Sequence, residues 1–263
     1  MPYILWSVLF VLVPLFLIVY FALTDANGKF TIDNIAAVDV YNIVLWRSIW
    51  LAIISTLICL ILAYPLAFIL SRMKKKNQNL VLALFILPMW INFLLKTYGL
   101  MTLLENNGLI NKLLGIIGLG PFQLINNYFA IIVGMVYNYI PFMILPIYTT
   151  MIKIDQMIIE AAQDLGAGTG RIFLKIIWPL SIPGVSTGIT MVFVPAVSTF
   201  IISKMLGGGS NFLIGDLIEL QFLGNTYNIH LGSAMSLILM VIIFLCISLM
   251  NQLDNEGKED ILL

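Results

Sequence analysis

The sequence predicts an all-α integral membrane protein with six transmembrane helices, and three observations carry that expectation. The 263 residues hold only 13 Lys or Arg and 13 Asp or Glu, while 61% are hydrophobic. A soluble domain averages roughly 25% charged residues, so an apolar excess of this size has no single water-facing globule to hide in. Mean hydropathy is +1.04. The few charges also leave long charge-free windows: 1–24, 48–71, 77–95, 113–152, 176–203 and 220–253. A helix needs about 20 apolar residues to cross the hydrocarbon, and a central Asp, Lys or Arg costs roughly 2.5–3.5 kcal/mol. These runs are continuously apolar, whereas barrel strands alternate apolar with polar residues.

Each span follows in turn, within one transmembrane domain over 1–263. The first, about 3–24, lacks a basic region before its apolar run and exceeds the roughly 7–15 residues of a signal-peptide core; it is expected to be a retained helix. The second and third cover about 44–71 and 80–102. The window 113–152 is long enough for two helices, but Gly115, Gly118, Gly120, Pro121, Asn126 and Asn127 mark its first half as a loop. One span is therefore expected there, 128–151. The fifth and sixth cover about 176–203 and 232–252.

Lys and Arg set the orientation. Arg72, Lys74, Lys75, Lys76, Lys153, Arg171, Lys175 and Lys258 fall on one side of a six-span chain; Lys29, Arg47, Lys96, Lys112 and Lys204 fall on the other. The positive-inside rule makes the first side, with both termini, cytoplasmic. The formal net charge of zero gives no field for nucleic acid. Cys59 and Cys246 lie in apolar runs and read as small hydrophobes, and His230 is the only histidine, so metal clusters and paired-imidazole chemistry are not expected.

The informative stretch is the connection Lys153–Pro179. Asp155 is placed as an N-cap, with Ile154 and Ile159 as a hydrophobic staple. Gln156–Leu165 reads as a short helix with Ile158, Ala162 and Leu165 on one face. Gly166 stands where a helix needs a left-handed residue to stop. Residue physics allows two readings: a helix presenting Glu160 and small alanines to a cytoplasmic protein, or an ordinary interfacial helix.

Glu160-Ala161-Ala162, Gly166, Ile176 and Pro179 together resemble the EAA loop of ABC-importer permease subunits: EAA, three residues, Gly, nine residues, Ile-x-Leu-Pro. Trp178 stands at the Leu position, apolar for apolar. Segments 85–100 and 202–223 are similar to spermidine/putrescine importer permeases, the first of the two permease subunits. The resemblance implies a type I ABC importer permease (MetI-like) fold in the plasma membrane of a prokaryote. It implies a cytoplasmic coupling helix within 153–172, with Glu160, Ala161, Ala162 and Gly166 coupling to an ABC ATPase dimer. It further implies a second homologous permease, an extracytoplasmic polyamine-binding protein, and ATP with Mg held by the ATPase. No GxxxxGK[ST] is present. Gly166-Ala-Gly168-Thr-Gly170-Arg171 lacks the Lys-Ser/Thr of a phosphate loop and follows a helix, not a strand. The chain is expected to be no enzyme and to bind no cofactor.

A polyamine is a flexible chain of ammonium groups, which carboxylates and aromatic faces attract. Asp216 and Glu219, three apart, form either a cation-attracting rim or a solvated face. Trp90, Asn92 and Tyr98, beside Pro88, either line the passage or join the interfacial aromatic belt. Lys96 would repel a polycation, and it is expected to snorkel outward or pair with Glu105. Pro141, Pro146, Pro183 and Pro195 are expected to break the fourth and fifth helices. Two other functions compete: an ABC permease for another small solute, and an ion-coupled secondary transporter. The latter should show ionisable groups deep in its spans, and no Asp or Glu occupies the middle of any of them.

Overall fold

The structure is a computed structural model describing the backbone of residues 2–224 and 227–259 and the side chains of 3–224 and 227–250; the side chain of Lys258 lies outside these. Among the described residues, five helices are long and apolar enough to cross a membrane: α1 (Tyr3–Ala22), α2 (Asn42–Arg72, entered through helical turns from Asp33), α6 (Tyr128–Met151), α8 (Thr169–Val197) and α11 (Ile229–Glu259). Two more, α3 (Lys75–Trp90) and α4 (Phe93–Leu104), form a bent pair, followed by α5 (Leu109–Ile116). Shorter helices lie in the connections: α7 (Gln156–Asp164), α9 (Ile201–Leu206) and α10 (Ile214–Leu223). Among the described residues no strand occurs.

The third expected span is not a continuous helix. The axis turns by 96° between α3 and the α4–α5 segment. Ile91 and Asn92 are extended, and the Asn92 side chain caps α4, accepting from the backbone N–H of Leu94 at 2.9 Å and Leu95 at 3.4 Å. A strong N-cap has interrupted an apolar run, and hydropathy has no means of seeing it. The fifth span also shifts. α8 starts at Thr169, contains one π-helical turn at Phe173–Ile177, and ends at Val197, well short of 203.

The expected proline breaks do not occur. Pro141 and Pro146 lie inside α6 and Pro183 inside α8; Pro195 lies in the last turn of α8. Hydroxyls hold nearby carbonyls: Thr149 and Thr150 donate to Pro146 at 3.0 Å, and Thr187 donates to Pro183 at 2.8 Å.

The core is the triangle of α2, α6 and α8. Apolar tails and lipid are equally greasy, so contact here depends on close approach of small residues. Ala52, Ala63, Ala67, Ala130 and Ala196 are fully buried. Gly184 and Gly188, four apart on α8, face α6 so tightly that a Cβ on Gly184 would stand 2.6 Å from the Thr150 hydroxyl, and one on Gly188 2.8 Å from the Met143 sulfur. α11 packs on α8, α10 and α1, whereas none of the apolar window of α1 is buried.

Candidate coupling face and membrane pathway

α7 hangs at the end of the bundle where α2 stops and α8 starts. The Asp155 carboxylate accepts from Met157 N–H at 2.9 Å. At the other end Gly166 adopts φ +78°. Its N–H donates to Gln163 O at 2.8 Å, and Ala167 N–H donates to Ala162 O at 3.0 Å, the two bonds of a Schellman stop. Ile159 is buried against Ile172 and Ile177, with Ile154, Ala162, Ala167, Phe68 and Phe173 around it.

The buried stripe of α7 therefore runs through Ile159 and Ala162. Ile158 and Leu165, which spacing set on one face with Ala162, stay outside, and Leu165 is 89% exposed. The reason is the Schellman turn, which folds Ala167 back over Ala162 and carries Leu165 away. Ala162 is consequently half-buried in the chain's own loop, while Glu160, Ala161 and Met157 face out. Beside α7 lies a cleft of about 630 Å³, lined by Phe68, Arg72, Gln156, Gln163, Thr169 and Phe173 among others. Arg72 donates to the Gln156 amide oxygen at 3.3 Å.

From this cleft an aromatic ladder leads into the bundle. Phe173, in the π turn, meets Phe68 at 5.9 Å and Tyr64 at 5.8 Å, and Tyr64 meets Trp178 at 5.2 Å. The Tyr64 hydroxyl lies 2.8 Å from that of Ser181, which itself donates to Trp178 O at 2.8 Å. These edge-to-face and tilted ring contacts join α2 to α8, and Ile159 of α7 packs against Phe68 and Phe173 at their outer end.

The residues chosen from sequence for the passage are not gathered by this chain. Trp90 is 82% exposed at the end of α3, Tyr98 is exposed on α4, and Asn92 is occupied as a helix cap. Asp216 is neither rim nor solvated face. It is buried, and its Oδ2 accepts from Leu213 N–H at 2.7 Å at the start of α10, one arm of a capping box. Burial raises its carboxyl above the ordinary value, against the Leu213 N–H and the Ser203 hydroxyl, which lower it. Glu219 pairs with Lys204 at 2.7 Å.

Two features escaped the sequence. A cleft of about 320 Å³ opens between α4, α6 and the end of α8, lined by Phe93, Tyr139, Pro195, Ser198, Thr199 and Phe200. Phe93 stacks on Tyr139 at 6.3 Å, and the Tyr139 hydroxyl donates to Pro195 O at 3.3 Å. Lys96, moreover, neither snorkels outward nor pairs with Glu105. It is buried against α6, its Nζ 3.4 Å from Asn138 O and 5.5 Å from the centre of the Tyr137 ring. The bend at Asn92 turns α4 back onto α6 and carries the lysine with it. The polar pair Asn138-Tyr139 within an apolar span was the one signal in the sequence.

Comparison with known proteins matches residues 62–255 to the binding-protein-dependent transport system inner membrane component family. The chain belongs to that family: it is a non-catalytic, multi-pass membrane subunit of an ABC importer. It is 38% identical to the spermidine/putrescine transport system permease protein PotB of Haemophilus influenzae, covering 97% of this chain and 93% of that one. To PotB of Escherichia coli K12 it is also 38% identical, over 90% of each. An inner membrane ABC transporter permease, YdcU of Escherichia coli, is 27% identical over 87% of this chain and 78% of its own. Among solved structures, a bacterial ABC transporter involved in alginate import superposes with a TM-score of 0.81 at 16% identity, over 97% and 93% of the two chains. The same kind of transporter in complex with an alginate-bound periplasmic protein gives 0.82, also at 16%, over 97% and 92%. An inward-facing MetNI methionine transporter gives 0.61 at 17%, over 81% and 94%. The fold is that of ABC importer permeases.

Proposed function

We propose that this chain forms half of the membrane pathway of an ATP-driven polyamine importer. It works with a second homologous permease, a cytoplasmic ABC ATPase dimer and an extracytoplasmic polyamine-binding protein. The observation that carries the reading is the outer face of α7. Met157, Ile158, Glu160, Ala161 and Leu165 stand exposed on a helix fixed at both ends by its own cap and stop, which is the form a docking element needs. ATP and Mg belong to the ATPase. Nucleotide-driven closure there displaces α7, and the edge-to-face contacts of Phe173 with Phe68 and Tyr64 pass the motion to α2 and α8.

The cargo follows from the relatives' names together with the cleft of Phe93, Tyr139 and Phe200. The aromatic rings of this cleft suit an alkylammonium, each cation–π contact contributing about 0.5–2 kcal/mol. The basic cluster at 72–76 orients α7, and both chain termini with it, toward the cytoplasm. The test is co-purification with the neighbouring subunits and reconstitution in liposomes. Spermidine or putrescine, presented with the binding protein, should raise ATP turnover several-fold and enter the vesicles. Stimulation by another solute class and not by these amines would reject the cargo.

A further inference from the structure

Asn138 is the eleventh residue of the 24-residue α6, about 15 Å from its start and so about halfway across the hydrocarbon. The Lys96 ammonium has been brought to that depth. Among the described residues its partners are the Asn138 carbonyl at 3.4 Å and the face of the Tyr137 ring at 5.5 Å; the ion pair found there, Lys204–Glu219, does not involve it. An ionisable side chain this deep marks a functional position unless it is paired. Beside it the Asn138 side chain donates to Thr97 Oγ1 at 3.2 Å and Gly134 O at 2.9 Å, yet its own Oδ1 is buried without a donor. The two groups that meet the ammonium, a ring face and a carbonyl oxygen, are ones that hold a primary ammonium.

We propose that Tyr137 and Asn138 form an alkylammonium subsite at the membrane midplane, which Lys96 fills in this structure and a primary-amine end of the cargo fills during transport. Lys96 is then a specificity-determining residue. Its three outer methylenes and ammonium have the same chemistry as the aminopropyl arm of spermidine, so chain and cargo compete for one place. That competition lets a transiting amine be held and then expelled by the returning lysine, which guards against a cation resting at the midplane. The competition rests on the polyamine reading; the subsite itself does not.

Chemical rescue tests the subsite alone. In the assembled importer in detergent, Lys96→Ala removes n-propylammonium from the site. Millimolar n-propylammonium should recover at least half of the melting temperature lost by this variant, n-propanol should not, and neither should act on the wild type. The amine effect should vanish in Lys96→Ala/Tyr137→Leu. Equal rescue by n-propanol, or none by the amine, overturns the proposal. Lys96→Met, which keeps the apolar volume, covers the case in which the alanine variant fails to assemble. Radiolabelled putrescine should bind this complex, without its binding protein, about tenfold tighter than wild type, the size of one cation–π contact; unchanged affinity overturns the competition. Rescue by n-propylammonium in an importer that moves no polyamine would uphold the subsite and reject the cargo.

Discussion

Gly166 sits at φ +78° with nothing within 4 Å of where its Cβ would be. Substitution there therefore acts through backbone strain alone, about 1–2 kcal/mol for an L residue forced left-handed. Gly166→Val is expected to loosen the stop of α7, cutting uptake in reconstituted vesicles at least tenfold while ATP turnover persists. Gly166→Asn, better tolerated in that conformation, should retain most uptake. Equal losses in the two variants would place the role of Gly166 elsewhere. Asp216 and Glu219, three residues apart, should behave differently. Asp216→Ala removes a buried cap and should lower the melting temperature by the equivalent of about 1 kcal/mol. Glu219→Gln breaks a partly exposed ion pair worth less than about 1 kcal/mol and should leave the melting curve almost unmoved.

At the scale of elements, the α6–α8 contact depends on absent side chains. A Cβ on Gly184 would stand 2.6 Å from Thr150 Oγ1 and 2.7 Å from the backbone oxygen of Pro146, and a carbonyl has nowhere to retreat. Gly184→Leu should push the two helices apart and abolish recovery of the folded complex on size exclusion. Tyr64→Phe is the mild counterpart on the α2 side. It removes a hydrogen bond worth about 1 kcal/mol but leaves the Ser181 hydroxyl its bond to Trp178 O. A complex that survives Gly184→Leu better than Tyr64→Phe would contradict the close-packed account. α7 illustrates what periodicity can and cannot read. Asp155 and Gly166 were legible because caps and stops follow local backbone chemistry. The buried face was misjudged at Ile158 and Leu165, because the turn after the helix decides which side meets the bundle.

For the molecule as a whole, hydropathy located the apolar mass and failed at its joints. Asn92 sits in a charge-free window, so the 96° bend left no mark on composition. Lys96 was expected to snorkel outward or pair with Glu105; the bend at Asn92 instead turns it onto α6. The coupling segment was legible from residue spacing, whereas the cleft of Phe93, Tyr139 and Phe200 joins three distant stretches and exists only after folding. Cysteine labelling tests the orientation of the whole chain. With the native Cys59 and Cys246 replaced, Glu160→Cys should react with a membrane-impermeant maleimide only from the cytoplasmic side, and Lys29→Cys only from outside. The reverse pattern would remove α7 from reach of any ATPase.

α1 has a different status from every other long helix, since its apolar window contributes no interior to the chain. Its C-terminal half packs on α11, and near Phe21 and Ala22 His230 and Asn34 reach the backbone oxygens at 3.0 and 3.2 Å. The first four turns are thus an outrigger. Shortening the chain to begin just before Phe21 would subtract one passage through the bilayer, exchange the compartment in which the amino end resides, and ask no residue of the α2–α6–α8 triangle to move.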